Sequence, residues 1–93
     1  MKYLSLGDAI QKFLAKHGLR ETAKVQEVIS QWDVLMGKPI ANNTEKIWFN
    51  KGILYIKMSS PIWKNELSLA RNKIKDMVNA KVGEDVVNEV RIW

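Results

Sequence analysis

Cysteine is absent from these 93 residues. Its absence removes disulfide frameworks, thiolate zinc sites and thiol nucleophiles together, and it fits a reducing compartment. Histidine occurs once, as His17. Near a helix end it reads as a capping or surface group, since a general base needs a positioned partner. Asp8, Asp33, Asp76 and Asp85 are scattered over different elements, without the spacing of a carboxylate dyad or a hard-metal cage. Gly37-Lys38-Pro39 lacks the glycine spacing and the Lys-Ser/Thr pair of a nucleotide loop. No apolar run is long enough for a membrane span, and Met1 to Ile10 lacks the basic-then-apolar pattern of a secretion signal. These gaps predict a cytoplasmic, non-enzymatic protein with no metal, no cofactor and no small-molecule substrate.

What is there suits one small domain over residues 1–93. The hydrophobic fraction, 46%, lies in the globular range. Fifteen Lys and Arg against ten Asp and Glu give a formal charge of +5. Such a surplus attracts phosphate backbones or an acidic protein face, and equally serves plain solubility.

Apolar spacing predicts the elements. Leu6, Ile10, Phe13 and Leu14 mark a first helix, capped by Ser5 and stopped at Gly18. Val25, Val28, Ile29, Trp32, Leu35 and Met36 mark a second, capped by Thr22 and ended by Gly37 with Pro39. The period then falls to two. Ile47 and Phe49 alternate with Lys46, Trp48 and Asn50, and after Lys51-Gly52 the residues Leu54, Ile56 and Met58 alternate with Ile53, Tyr55 and Lys57. That pattern predicts a hairpin with Lys51-Gly52 as its turn. Ser59-Ser60-Pro61 opens a long third helix carrying Trp63, Leu67, Ala70, Ile74, Met77 and Val78 to about Lys81. Gly83-Glu84-Asp85 turns the chain into a last strand with Val86, Val90 and Ile92 on one face and Val87, Glu89, Arg91 and Trp93 on the other.

The predicted fold class is therefore α+β in the order α-α-β-β-α-β. A three-stranded sheet needs helices over one face to hide its apolar row, which leaves the other face in water. With a two-residue turn, that open face carries Lys46 opposite Lys57, Trp48 opposite Tyr55 and Asn50 opposite Ile53. The aromatic pair can serve three ends. It can stabilise the sheet, stack on unpaired bases beside phosphate-binding lysines, or anchor a protein partner. Lys64, Ser68, Arg71 and Lys75 form a helical row that suits phosphate contact or simple solvation.

Three blocks carry a resemblance: Trp32-Asp33-Val34-Leu35-Met36-Gly37, Gly52-Ile53-Leu54-Tyr55-Ile56-Lys57 and Ser60-Pro61-Ile62-Trp63-Lys64-Asn65-Glu66-Leu67, followed by a closing strand from Val86 to Trp93. In this order they resemble the DciA family from Ser5 onward. The resemblance implies a two-layer KH-like domain that binds DNA and assists loading of the replicative helicase, although the Gly-x-x-Gly loop of a standard KH module is missing. The matched positions are Trp32, Gly37, Gly52, Leu54, Ile56, Trp63, Glu66 and Leu67. Most read as fold determinants, with Glu66 either anchoring the helix or touching a partner. Several members of the family carry an additional extended or disordered region beside the domain, which these residues do not show. The partners to expect are thus DNA, single-stranded or duplex, and the helicase. The alternative is a protein-interaction or homodimer module using the open sheet face.

Overall fold

The computed structural model describes residues 5–16 and 19–93. The expected stop at Gly18 and the position of His17 lie outside them. Helix α1 (Leu6–Lys16) begins as expected: the Asp8 amide donates to the Ser5 hydroxyl oxygen at 3.1 Å. Three residues of its apolar row lie outside the core. Leu6, Ile10 and Phe13 are all exposed, and α1 packs against α2. The molecule measures 59 × 22 × 19 Å, with a radius of gyration of 15.3 Å, against about 12 Å for a compact chain of this length.

The predicted second helix is two, α2 (Arg20–Ile29) and α3 (Trp32–Met36), and a further short helix, α4 (Lys38–Asn42), follows Gly37. The Ser30 hydroxyl donates to the Glu27 carbonyl at 2.6 Å, a local bond that competes with helix continuation. Thr22 lies inside α2, and Leu19 holds the cap position without a side-chain bond. Gly37 ends α3 at φ 87°, ψ 157°, a conformation essentially confined to glycine. Pro39 opens α4 instead of closing the helix before it, a first-turn place where its missing N–H costs nothing. The break turns Trp32 inward. Its indole N–H donates to the Thr44 hydroxyl at 3.1 Å, and that hydroxyl donates to the Ile40 carbonyl at 2.8 Å.

Strands β1 (Thr44–Asn50) and β2 (Ile53–Met58) form the antiparallel hairpin in the expected register, Phe49 opposite Leu54 and Trp48 opposite Tyr55. Lys51 and Gly52 both have positive φ, 49° and 80°, as a turn matched to strand twist requires. Gly52 is fixed twice over. Its carbonyl accepts from the Asn88 amide at 2.8 Å, and a Cβ there would sit 2.6 Å from the Asn88 side chain. Lys51 has no such release, and a left-handed lysine is strained. Lys51→Asn should raise stability by about 0.5–1 kcal/mol, because asparagine tolerates this region; an unchanged denaturation midpoint would contradict the turn geometry.

Ser60 caps α5 (Pro61–Leu69), accepting from the Trp63 amide at 3.5 Å. The predicted long helix breaks at Ala70, and α6 (Arg71–Val82) continues to Gly83, which is left-handed. Strand β3 (Glu89–Ile92) lies parallel to β2, giving the sheet order β1-β2-β3. Helices α2, α5 and α6 cover one face of it. Val25, Leu54, Ile56, Ile74 and Val78 are fully buried between the layers. Val86 and Val87 are both buried in the approach to β3, so Val87 is not on the outer row with Glu89 and Arg91. Two consecutive inward valines are possible because this stretch precedes the strand and need not alternate.

Asn79 makes that approach possible. It is buried on α6, accepts from the Val86 and Val87 amides at 3.1 and 2.8 Å, and donates to the Val87 carbonyl at 2.9 Å. An irregular buried segment thereby finds the partners its backbone needs.

Candidate nucleic-acid interface

The uncovered sheet face is built by strand alternation. Inward Phe49, Leu54, Ile56 and Val90 are buried, so Lys46, Trp48, Tyr55, Lys57 and Arg91 fall on the other side. The parallel register sets Arg91 beside Tyr55. Trp93 extends the ladder: its amide donates to the Ile56 carbonyl at 2.9 Å and its carbonyl accepts from Met58 at 3.1 Å. Those two bonds bracket Lys57, so Trp93 stands opposite it, with its side chain exposed.

Trp48 and Tyr55 stack with ring centroids 5.0 Å apart and planes 6° from parallel. Each ring therefore spends one face on the other. A cation stands over each ring: the Lys46 amine is 5.0 Å from the Trp48 ring centroid, and the Arg91 guanidinium is 5.8 Å from that of Tyr55. The result is one row across all three strands, cation, indole, phenol, cation, held by ring quadrupoles.

The opposed lysines are managed by a bulge. The register shifts between Thr44 and Lys46, which inserts Glu45 and brings its carboxylate 3.8 Å from the Lys57 amine. Lys46 meanwhile leans over Trp48, so the two like charges diverge. Arg91 is paired along its own strand, with Nε 3.3 Å and Nη2 3.4 Å from the Glu89 carboxylate oxygens. The Glu89 hydrogen bond and charge hold its guanidinium above the ordinary value. Among the described residues, Lys46 is the outer-row cation with no carboxylate in ion-pair range.

Lys64, Arg71 and Lys75 belong to the helical layer. The break at Ala70 divides their row, leaving Lys64 on α5 and the other two on α6. The Ser68 hydroxyl is turned to the Lys64 carbonyl at 2.7 Å. Of the matched family positions, Trp32, Leu54, Ile56 and Leu67 are in the core and Trp63 packs against it half-buried. Glu66 is exposed and has neither an ion pair nor a side-chain hydrogen bond among the described residues.

Sequence reasoning placed Arg91 outward but did not join it to the aromatic pair, because the parallel partner of the last strand was not predicted. Two concavities lie elsewhere. One, of about 290 Å³, runs past Lys24, Val28, Leu35 and Lys81. The other is lined by Asp76, Asn79, Glu84 and Asp85. Among the described residues, no group of three His, Cys, Asp or Glu side chains could hold a metal ion, and no helix is long and apolar enough to cross a membrane.

A family model described as "Dna[CI] antecedent, DciA" matches residues 5–92. The UPF0232 protein of Corynebacterium glutamicum is 28% identical over 89 residues, covering 96% of this chain and 50% of that protein. The UPF0232 protein of Mycobacterium tuberculosis strain H37Rv is 28% identical over 87 residues, covering 94% and 46%. That of Mycolicibacterium smegmatis is 25% identical over 87 residues, covering 94% and 45%. The chain thus spans about half the length of these relatives. No solved structure matches it, and the KH-like label stays an implication of the family resemblance. With every described element inside the matched region, from α1 to β3, the chain belongs to the DciA family.

Proposed function

We propose that this domain is a DNA-binding accessory module of replication, acting in the loading of the replicative helicase without catalysis of its own. The observation that carries the reading is the Lys46–Trp48–Tyr55–Arg91 row on the sheet face opposite the buried residues that the described helices cover. Aromatic groups interleaved with cations suit a strand of unpaired bases, which needs stacking surface and phosphate contact together. The helicase part rests on the family. Lys64, Arg71 and Lys75 on the helical layer supply a second, sequence-independent attraction for phosphates.

Affinity for a fluorescent single strand and a duplex across a salt series tests this. Binding should weaken steeply as salt rises, because each neutralised phosphate releases counterions. Changing Lys64, Arg71 and Lys75 to Gln should shallow the salt slope for both strands. No binding at low salt, or affinity indifferent to salt, would end the reading.

A second reading, a protein-contact module, has one observation of its own: the exposed Leu6, Ile10 and Phe13 row on α1. Apolar rows of this kind are buried in interfaces more often than left in water. Sedimentation at several protein concentrations tests self-association, and a strict monomer would count against the homodimer form.

A further inference from the structure

Resting on the nucleic-acid reading above, we propose that the outer face of Trp48 is a seat for a single unpaired base, closed in the free protein by Lys46 and opened when that lysine moves to a phosphate. The ligand class is single-stranded nucleic acid of any base sequence.

The ring faces decide where a base can enter. Trp48 and Tyr55 have four between them, and mutual stacking uses two. With the inner two filled, Lys46 and Arg91, 5.0 and 5.8 Å from the Trp48 and Tyr55 centroids, have only the outer two left to cover. A base can enter only by displacing one of these covers, and the covers are not alike. Arg91 is held by Glu89 through two contacts and stands on β3, against the side of Tyr55 where the sheet continues. Lys46 is exposed and has no carboxylate partner among the described residues, since Glu45 is taken by Lys57. Strand β1 is also the edge of the sheet, so no further strand crowds the space beyond Trp48.

The exchange is favourable in each part. An exposed ammonium over a ring is a weak contact, and a phosphate oxygen offers that ammonium a charge-assisted hydrogen bond in its place. The vacated indole face then takes a base, which stacks whatever its identity. Lys46 thereby changes partner without being left unpaired, and only a ligand offering both an anion and a planar ring completes the exchange.

The test compares a short deoxythymidine oligomer with an abasic strand of the same phosphate count, at one salt concentration. The base-bearing strand should bind roughly five- to hundredfold more tightly, the range expected for one stacked base. Trp48→Leu, with folding checked by its melting curve, should remove that preference. Lys46→Met and Arg91→Gln should each weaken both strands alike and keep the preference. A ribo-oligomer of uridine run beside its own abasic strand separates the two sugars; a base preference in either supports the seat, and in neither overturns it. Failure to bind any strand would end the nucleic-acid reading itself. Equal binding of base-bearing and abasic strands would leave that reading standing and overturn the seat. A preference that survives Trp48→Leu, or is lost in Arg91→Gln, would overturn it as well.

Discussion

Asn79→Ala should destabilise this domain by about 2–4 kcal/mol, the cost of leaving two to three buried backbone groups without partners. The side chain makes all three of its bonds inside the protein, to the amides of Val86 and Val87 and to the carbonyl of Val87. The Val86 amide keeps a second acceptor in the Glu84 carbonyl at 3.0 Å, which limits the loss there. The other two groups have no replacement among the described residues. For a domain of this size the change corresponds to about 10–25 °C in melting temperature. Asn79→Asp keeps the acceptor oxygen but loses the donor and buries a charge, so it should fall at least as far. A thermal melt of either variant within a few degrees of the parent would mean that the segment before β3 is held some other way.

The second large effect contrasts two neighbours on β2. Leu54→Ala removes a fully buried side chain and should cost about 2–5 kcal/mol, from lost transfer energy and the cavity left behind. Tyr55→Ala, one residue on and facing the other way, loses a cross-strand pair worth about 0.2–1 kcal/mol. Chemical denaturation of both variants checks the difference. Equal losses would mean that the outer face is buried as deeply as the inner one, and the sheet would then have no surface to offer a ligand.

That alternation is the part of the fold written most openly in the sequence. Period-two spacing on either side of Lys51-Gly52 determines which residues oppose each other, and Trp48 meets Tyr55 as the spacing requires. Proline after serine likewise announces the start of α5. The helix breaks are hidden for a physical reason. Apolar spacing runs unbroken through Ser30-Gln31 and through Ala70, while the chain departs from helical geometry there to reach its tertiary partners. The exposed row of α1 is hidden too, since periodicity identifies an apolar stripe but not what covers it. Asn79 is the clearest miss. On a helix it reads as one more polar residue, and its role depends on a segment seven and eight residues away.

The candidate site divides in the same manner. Strand phase predicts that Lys46, Trp48, Tyr55 and Lys57 share a face, and they do. It says nothing of how the charges settle. The bulge that delivers Glu45 to Lys57, and the Glu89 carboxylate beside Arg91, make the face less positive than the +5 total suggests. Much of the surplus lies on the helices instead, at Lys64, Arg71, Lys73 and Lys75 among others. In the function proposed above, that field draws a strand toward the molecule and the aromatic row orients it, with Lys46 as the cation without a carboxylate partner among the described residues.

Chemical-shift mapping during titration with a single-stranded oligonucleotide puts the whole account at risk in one spectrum series. The backbone amides of Lys46, Trp48, Tyr55, Arg91 and Trp93, together with the Trp48 indole N–H, should move first and furthest. Shifts concentrated instead around the groove of Lys24 and Lys81, or no shifts at all, would contradict the proposal that the open side of the sheet receives a DNA strand.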